Sequence, residues 1–334
     1  MRISVLGAGT WGTALAILLC NNGQEVILWS ALEKEVKALS ETRNQIPNLP
    51  GASLPEKVTV TGDLTYALQQ PEIIVFAVAS PYVRATAKQV APLVKEGAII
   101  VNVGKGIEET TLMTLTDIIS DEIKHADVAV LSGPSHAEEV SRGIPTTCVV
   151  GAASKKTASL IQDAFMNEYF RVYTSPDIIG IELGGSLKNV IALAAGIADG
   201  LGFGDNTKAA LMTRGIAEIS RLGMKMGGKL ETFSGLSGVG DLFVTCTSKH
   251  SRNRNAGFLI GQGYTMQEAM DEVKQVVEGV YSAKAALSLA KKYEVQMPIV
   301  EQINLVLFEN KSAKAAVTDL LLRDKTIEHD SLEW

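Results

Sequence analysis

Near its start the chain runs from an apolar stretch, Ile3-Ser4-Val5-Leu6, straight into Gly7-Ala8-Gly9-Thr10-Trp11-Gly12. No other segment constrains the fold as tightly. A Gly-x-Gly-x-x-Gly turn between a strand and a helix belongs to a βαβ unit. Gly7 permits the tight turn, Gly9 lets a pyrophosphate reach the backbone, and Gly12 lets the helix pack against the strand. A helix is predicted over 13–20, with Gly23 as a cap beyond its end. The free amides and positive dipole end of that helix attract phosphate. The competing reading is a strand-helix turn that binds nothing. The strand before the glycines and the helix after them favour a dinucleotide site.

The rest of the first half repeats this alternation. Strands are predicted at 3–6, 25–29, 58–61, 73–78, 99–103, 128–131, 146–151 and 170–173. Several are apolar at nearly every position, as parallel strands covered on both faces are. Helical stretches lie between many of them, for example 81–94 and 112–123. The pattern predicts an α/β fold, a doubly wound sheet of Rossmann type.

Near Ile178 the texture changes. From 186 to 325 strand alternation is absent, and helix-period stretches follow at 187–198, 208–226, 266–272, 282–292, 300–308 and 313–322. A chain of 334 residues is also long for a single core. The expected division is an NAD(P)-binding Rossmann domain at 1–180 and an all-α substrate domain at 181–334. Substrate would meet cofactor in the cleft between them.

Bulk properties exclude several functions. A net charge of −6 leaves no basic face for nucleic acid. Cys20, Cys148 and Cys246 are far apart, without metal or redox spacing, so they read as reduced thiols and no metal site is expected. The first strand starts too early for a signal peptide, and the longest apolar run, 190–198, is too short to cross a bilayer. A cytoplasmic location is the expectation. The small-residue helices and the apolar second half suggest a homodimer.

Cofactor type is read at the end of the second strand, where an acid about 20 residues past the glycine loop marks NAD. Here the strand ends Leu28-Trp29-Ser30-Ala31, and Glu33 and Lys34 come late. The missing acid predicts that NADP is accepted, with NAD usable too.

Five later segments carry candidate chemistry. Lys105, in Asn102-Val103-Gly104-Lys105-Gly106, follows a strand and can reach a phosphate or carbonyl, or be a solvated turn residue. Ser132-Gly133-Pro134-Ser135-His136-Ala137-Glu138 has capping-box spacing at Ser135 and Glu138, and its amides could also hold a substrate oxygen. His136 there has little claim as an acid-base group. Lys188, in Gly184-Gly185-Ser186-Leu187-Lys188-Asn189, reads as a lysine in the first turn of a buried helix. Dipole repulsion and desolvation would both favour its neutral amine, as a proton acceptor needs. Otherwise it snorkels to solvent. Asp241 ends a glycine-rich turn, as a helix N-cap or as a group that holds a hydroxyl or orients the lysine. Ser251-Arg252-Asn253 offers a hydroxyl, a guanidinium and an amide to a phosphate, or is a polar loop. Val276-Val277-Glu278-Gly279 is unspecific alone.

In order, these segments resemble the bacterial NAD(P)-dependent glycerol-3-phosphate dehydrogenases. The resemblance rests on GAGTWGTALA (7–16), SGPSHAEE (132–139), GGSLKNVIALAAGIADGLGFGDNTKAALMTRG (184–215), GVGDLFVTCTSKHSRNRNAG (238–257) and VVEG (276–279). It implies reversible oxidation of sn-glycerol 3-phosphate to dihydroxyacetone phosphate, supplying glycerophospholipid synthesis, with Lys188 as proton acceptor. It implies that Lys105, Gly133, Ser135, Asp241, Ser251, Arg252 and Asn253 hold the substrate. Thr10, Trp11, Lys105, Ala137, Arg252, Val276 and Glu278 would contact NAD or NADP. Two positions depart from the family's usual pattern: Ala31 stands where a basic residue is often found, and His136 where an aromatic one is. The rival readings are a hydroxy-acid dehydrogenase and a non-enzymatic dinucleotide sensor.

Overall fold

The computed structural model describes residues 1–43, 49–325 and 327–328. Residues 326 and 329–334, assigned from sequence to the second domain, lie outside the described residues. Eight strands form one sheet: β1 (Arg2–Leu6), β2 (Glu25–Trp29), β3 (Thr59–Thr61), β4 (Ile73–Phe76), β5 (Ile99–Asn102), β6 (Asp127–Ser132), β7 (Thr146–Gly151) and β8 (Phe170–Ser175). Their order is β3-β2-β1-β4-β5-β6-β7-β8. The eight predicted strands are all present, with ends shifted by at most two residues. β1 and β4 to β6 are buried at almost every position, and helices cover both faces of the sheet.

Two strands depart from the direction of the other six. β7 runs antiparallel to β6, and β8 then pairs parallel with β7. The sheet therefore continues past the six-strand dinucleotide unit with a reversed pair.

Chain order reverses between β1 and β4, where ligands bind such sheets beyond the carboxyl ends. The glycine loop lies there. Gly7 has φ +109°, and a Cβ on it would fall 2.5 Å from the Ala77 carbonyl at the end of β4. The first helix runs Thr10–Asn21, starting earlier than predicted.

After β8 the structure is helical. Its axis is one 23-residue helix, Ile178–Gly200, buried from Gly180 through Ala198. Helices Asp205–Lys225, Asp241–Thr247, Arg252–Gly261, Glu278–Lys292 and Pro298–Phe308 pack around it. The central helix is long and apolar enough to cross a membrane, but 89% of that span is buried inside the fold, as a core helix is. The expected domain boundary at 180/181 falls within its first turn. Asp177 starts the helix by accepting the Gly180 N–H at 2.9 Å, so Gly184 and Gly185 lie inside it rather than at its opening. Packing overrides their poor helix propensity. A Cβ on Gly184 would sit 2.6 Å from the Ser237 carbonyl.

Candidate active site

Three segments converge on one carboxylate. Asp241 opens helix Asp241–Thr247, with Gly240 as the N-cap, so its side chain is free for other partners. Its Oδ1 lies 3.1 Å from Lys188 Nζ, and its Oδ2 lies 2.5 Å from Lys105 Nζ. Lys105 projects from the loop after β5 and also donates to the Gly133 carbonyl at 3.1 Å. Lys188 donates to Thr245 Oγ1 at 2.6 Å, and Thr245 in turn donates to the Asp241 carbonyl at 2.7 Å. Lys188 and Asp241 are buried, while Lys105 keeps part of its surface open.

Lys188 sits in the middle of the central helix, not in its first turn. The helix dipole, which acts over the terminal turns, is therefore not what perturbs it. Burial is the largest influence and pushes its ammonium down to about 8 from an ordinary 10.5. The Lys105 charge acts the same way, and the Asp241 carboxylate opposes both. A lysine so placed exists as ammonium and as free amine in comparable amounts near pH 8. It can accept a proton or return one.

The loop after β6 differs from its sequence reading. Ser135 and Glu138 make no capping box. His136 is the N-cap of the short helix Ala137–Val140, without a side-chain bond, and Ser135 Oγ donates to the Gly133 carbonyl at 3.0 Å. Gly133 has φ +145°, and a Cβ there would meet the Cys148 backbone at 3.0 Å. Among the described residues His136 Nε2 is buried without a hydrogen-bond partner, and its ring centroid lies 6.0 Å from that of His250. Burial, together with Lys188 and Lys105, holds its pKa below the usual histidine value.

The Ser-Arg-Asn cluster is the start of a helix, not a loop. Ser251 caps helix Arg252–Gly261 by accepting the Arg254 N–H at 3.2 Å. Asn253 points inward, donating to Asn189 Oδ1 at 3.0 Å and accepting the Gly279 N–H at 2.8 Å. Arg252 is exposed, and its charge favours the ionised form of Glu278. Glu278 opens helix Glu278–Lys292, and its carboxylate accepts the Ser80 N–H at 3.1 Å and the Ser80 hydroxyl. Burial nevertheless raises the Glu278 pKa. The Ser80 contact ties the helical part to the segment after β4.

The glycine loop fits a dinucleotide phosphate. Gly9 is the N-cap of the first helix and has no side-chain cap, leaving the first-turn amides of Thr10, Trp11 and Gly12 without a capping acceptor. A Cβ on Gly9 would meet nothing within 4 Å, whereas one on Gly12 would lie 1.9 Å from the Gly7 carbonyl. Gly9 thus borders open space, and Gly12 serves the fold. Ala137, Ala31 and Val276 make no side-chain hydrogen bond. Ala31 is exposed between β2 and helix Glu33–Glu41, and Val276 lies in the stretch before Glu278.

Four contributors escaped the sequence reading: Thr245, Asn189, Ser80 and Glu35. Thr245 stands four residues after Asp241, on the same helix face, a spacing that could have flagged it. Glu35 accepts the Ser30 hydroxyl at 2.6 Å. A carboxylate therefore does stand beside the end of β2, folded back from the next helix.

Comparison with known proteins places the chain in a family. The family models for the NAD-dependent glycerol-3-phosphate dehydrogenase N-terminus and C-terminus match residues 2–158 and 177–318. The glycerol-3-phosphate dehydrogenase [NAD(P)+] of Agathobacter rectalis is 63% identical over 333 residues, covering 100% of this chain and 99% of its own. That of Bacillus subtilis is 48% identical, covering 99% and 97%. The crystal structure of glycerol-3-phosphate dehydrogenase from Coxiella burnetii superposes with a TM-score of 0.92 at 37% identity, covering 96% of this chain and 99% of that one. On this agreement across its length, the chain belongs to the NAD(P)-dependent glycerol-3-phosphate dehydrogenase family.

Proposed function

We propose that this chain interconverts sn-glycerol 3-phosphate and dihydroxyacetone phosphate with NAD or NADP, using Lys188 as the proton acceptor. The observation that carries this is the buried Lys188 ammonium, lowered to about 8 and held on Asp241 and Thr245. An alcohol being oxidised must lose its hydroxyl proton to a base with a pKa near working pH. The nicotinamide, when bound, takes the hydrogen and electron pair of the C2–H bond.

The chain's own groups do the rest. Free Lys188 takes the C2 hydroxyl proton, and its ammonium returns a proton to the ketone in the reverse direction. Lys105 and Asp241 hold the reacting oxygen, with Gly133 and Ser135 beside them. Arg252, with Ser251 and Asn253, takes the phosphate and so fixes where C2 lies. Gly9, Thr10, Trp11, Ala31, Lys105, Ala137, Arg252, Val276 and Glu278 hold the dinucleotide, in a loop whose shape Gly7 and Gly12 set. Alignment of the reacting centres supplies much of the rate.

We read residues 1–180 as serving the dinucleotide and 181–334 as serving the substrate, although one helix crosses that line. The product feeds glycerophospholipid synthesis, and the protein works as a cytoplasmic homodimer. The direct test follows reduced-cofactor absorbance with dihydroxyacetone phosphate, comparing NADPH with NADH. Loss of absorbance with either one supports the reading. No substrate-dependent loss with either refutes it. Size by light scattering tests the dimer.

A further inference from the structure

A second buried carboxylate, Glu182, lies on the same helix as Lys188, and the reaction above does not use it. It is 2% exposed. Its Oε1 accepts from Asn102 Nδ2 at 2.9 Å; among the described residues its Oε2 makes no hydrogen bond of full geometry, although the Leu115 N–H and the Thr116 hydroxyl face the carboxylate. Burial pushes its carboxyl up to about 7, with the hydrogen bonds from Asn102, Leu115 and Thr116 opposing and the Asp117 charge adding to the rise. A fully buried acid is costly, and an apolar side chain would avoid that cost.

Asn102 ends β5 and is fully buried. Its Nδ2 also donates to the Gly104 carbonyl at 3.1 Å, and its Oδ1 accepts the Gly104 N–H at 3.1 Å. One side-chain amide thus holds both backbone groups of the residue before Lys105. Two more contacts from the central helix set this loop. Ser186 Oγ donates to the Gly106 carbonyl at 3.1 Å, and a Cβ on Gly185 would lie 3.5 Å from Lys105 Cγ.

The amide has two orientations. In the one observed, both Nδ2 hydrogens and Oδ1 are used. Turned over, its oxygen would face Glu182 Oε1 and the Gly104 carbonyl, and its NH2 would face the Gly104 N–H, three like-with-like contacts. The Gly104 backbone favours the observed orientation, and the Glu182 acceptor, fixed in the central helix, anchors the amide in it. Only from that loop does Lys105 reach Asp241 and the Gly133 carbonyl.

We propose that Glu182 is a positioning residue: acting as a hydrogen-bond acceptor through Asn102, it fixes the 104–106 loop so that Lys105 stays on Asp241 beside Lys188. The proposal rests on the reading of Lys105 and Lys188 given above.

The test is the pH dependence of kcat/KM for glycerol 3-phosphate oxidation, measured on the whole chain. Asp241, Lys105 and Cys246 act on the Lys188 charge, and His136 lies within range of it. Loosening the loop removes only Lys105 from this set. Glu182→Met keeps the volume and leaves at most a weak acceptor. Losing the Lys105 charge should move the Lys188 limb, the rise of kcat/KM with pH, upward by about one pH unit. Misplacing Lys105 should cut kcat/KM by about tenfold or more. Lys105→Met should do the same, and the double variant should lose nothing further. Glu182→Gln, which keeps an acceptor oxygen, should restore the wild-type limb. Should Glu182→Met not fold, Asn102→Leu breaks the same link and must move the limb as Lys105→Met does. A wild-type limb in Glu182→Met or Asn102→Leu overturns the positioning role, and so does a Glu182→Gln limb moved as far as that of Lys105→Met. If Lys105→Met itself leaves limb and rate unchanged, the role assigned to Lys105 fails as well.

Discussion

Asp241→Asn keeps the shape of the site and removes one charge, so it isolates the electrostatics of Lys188. The Lys188 ammonium lies 3.1 Å from Oδ1, with both residues buried. At that distance and an effective dielectric of about 20, Coulomb attraction is roughly 5 kcal/mol. Two changes offset part of it. The Asn oxygen still accepts a hydrogen bond, and Lys105, losing its anchor, can move off and take its repulsion with it. A net loss of about 2–3 kcal/mol remains, or about two pKa units at roughly 1.4 kcal/mol each. The sign follows from the charge: Asp241 favours the ammonium, so its removal lowers the Lys188 pKa from about 8 towards roughly 6. Oxidation needs the free amine. In the native chain kcat/KM for glycerol 3-phosphate should rise with pH through about 8. In the variant the rise should come about two units lower, leaving a flat profile above it. Reduction of dihydroxyacetone phosphate needs the ammonium, so its activity should fall away at the correspondingly lower pH. Initial rates of cofactor absorbance change, taken in both directions at saturating cofactor, report both limbs. Limbs that stay near the native position, or move upward, refute the assignment of Lys188 as the titrating base.

Lys188→Met should lower turnover by about 10²–10⁴-fold, the usual worth of a general base, while cofactor affinity measured by tryptophan fluorescence stays unchanged. Near-normal turnover would remove the lysine from the mechanism. Arg252→Ala should raise the KM for glycerol 3-phosphate far more than that for glycerol, because the guanidinium is exposed and reads the phosphate. Equal effects on both substrates would end that role. Gly9→Ala should weaken NADH binding without changing Tm, since its Cβ enters open space at φ −69°. Gly12→Ala should cost about 1–3 kcal/mol of stability, because its Cβ would lie 1.9 Å from the Gly7 carbonyl. Matching Tm losses in the two variants would contradict this division of labour.

The strands were legible because each is a short β-branched or apolar run between turn residues, and in β1 and β4 to β6 burial on both faces demands that composition. The reversal of β7 was not. Thr146–Gly151 has the composition of its parallel neighbours, and direction depends on which end of the sheet the chain re-enters. The sequence marks Lys188 but misplaces the cause: Gly184-Gly185 resembles a helix start and points to the dipole, whereas in the fold burial is the main cause. Helix Arg252–Gly261 was missed because its first turn is polar, and its buried positions, Asn253, Ala256, Gly257 and Ile260, are mostly small or polar. The sequence offers Asp241 as a group that orients the lysine, but the contact itself has no local signature: Asp241 and Thr245 meet Lys188 because their helix packs on the central one.

That packing connects the small residues of the central helix to its chemistry. A Cβ on Gly196 would lie 2.1 Å from the Arg254 carbonyl, and one on Gly184 would lie 2.6 Å from the Ser237 carbonyl. Backbones therefore approach the helix more closely than Cβ-bearing residues allow, on both sides of Lys188 along the sequence. Close approach excludes water, and exclusion of water makes the ammonium costly enough to release a proton near neutral pH. The same approach at Gly184 holds the 236–240 turn, which leads directly into Asp241. Burial and pairing of the base thus share one structural cause. A methyl group at Gly184 would push that turn outward, loosen the Asp241 contact and admit solvent. These two changes act on the Lys188 pKa in opposite directions, one removing its counter-charge and the other relieving its desolvation. A small net pKa shift with a large loss of turnover is then the expected signature at Gly184, because alignment suffers where the two electrostatic effects offset each other.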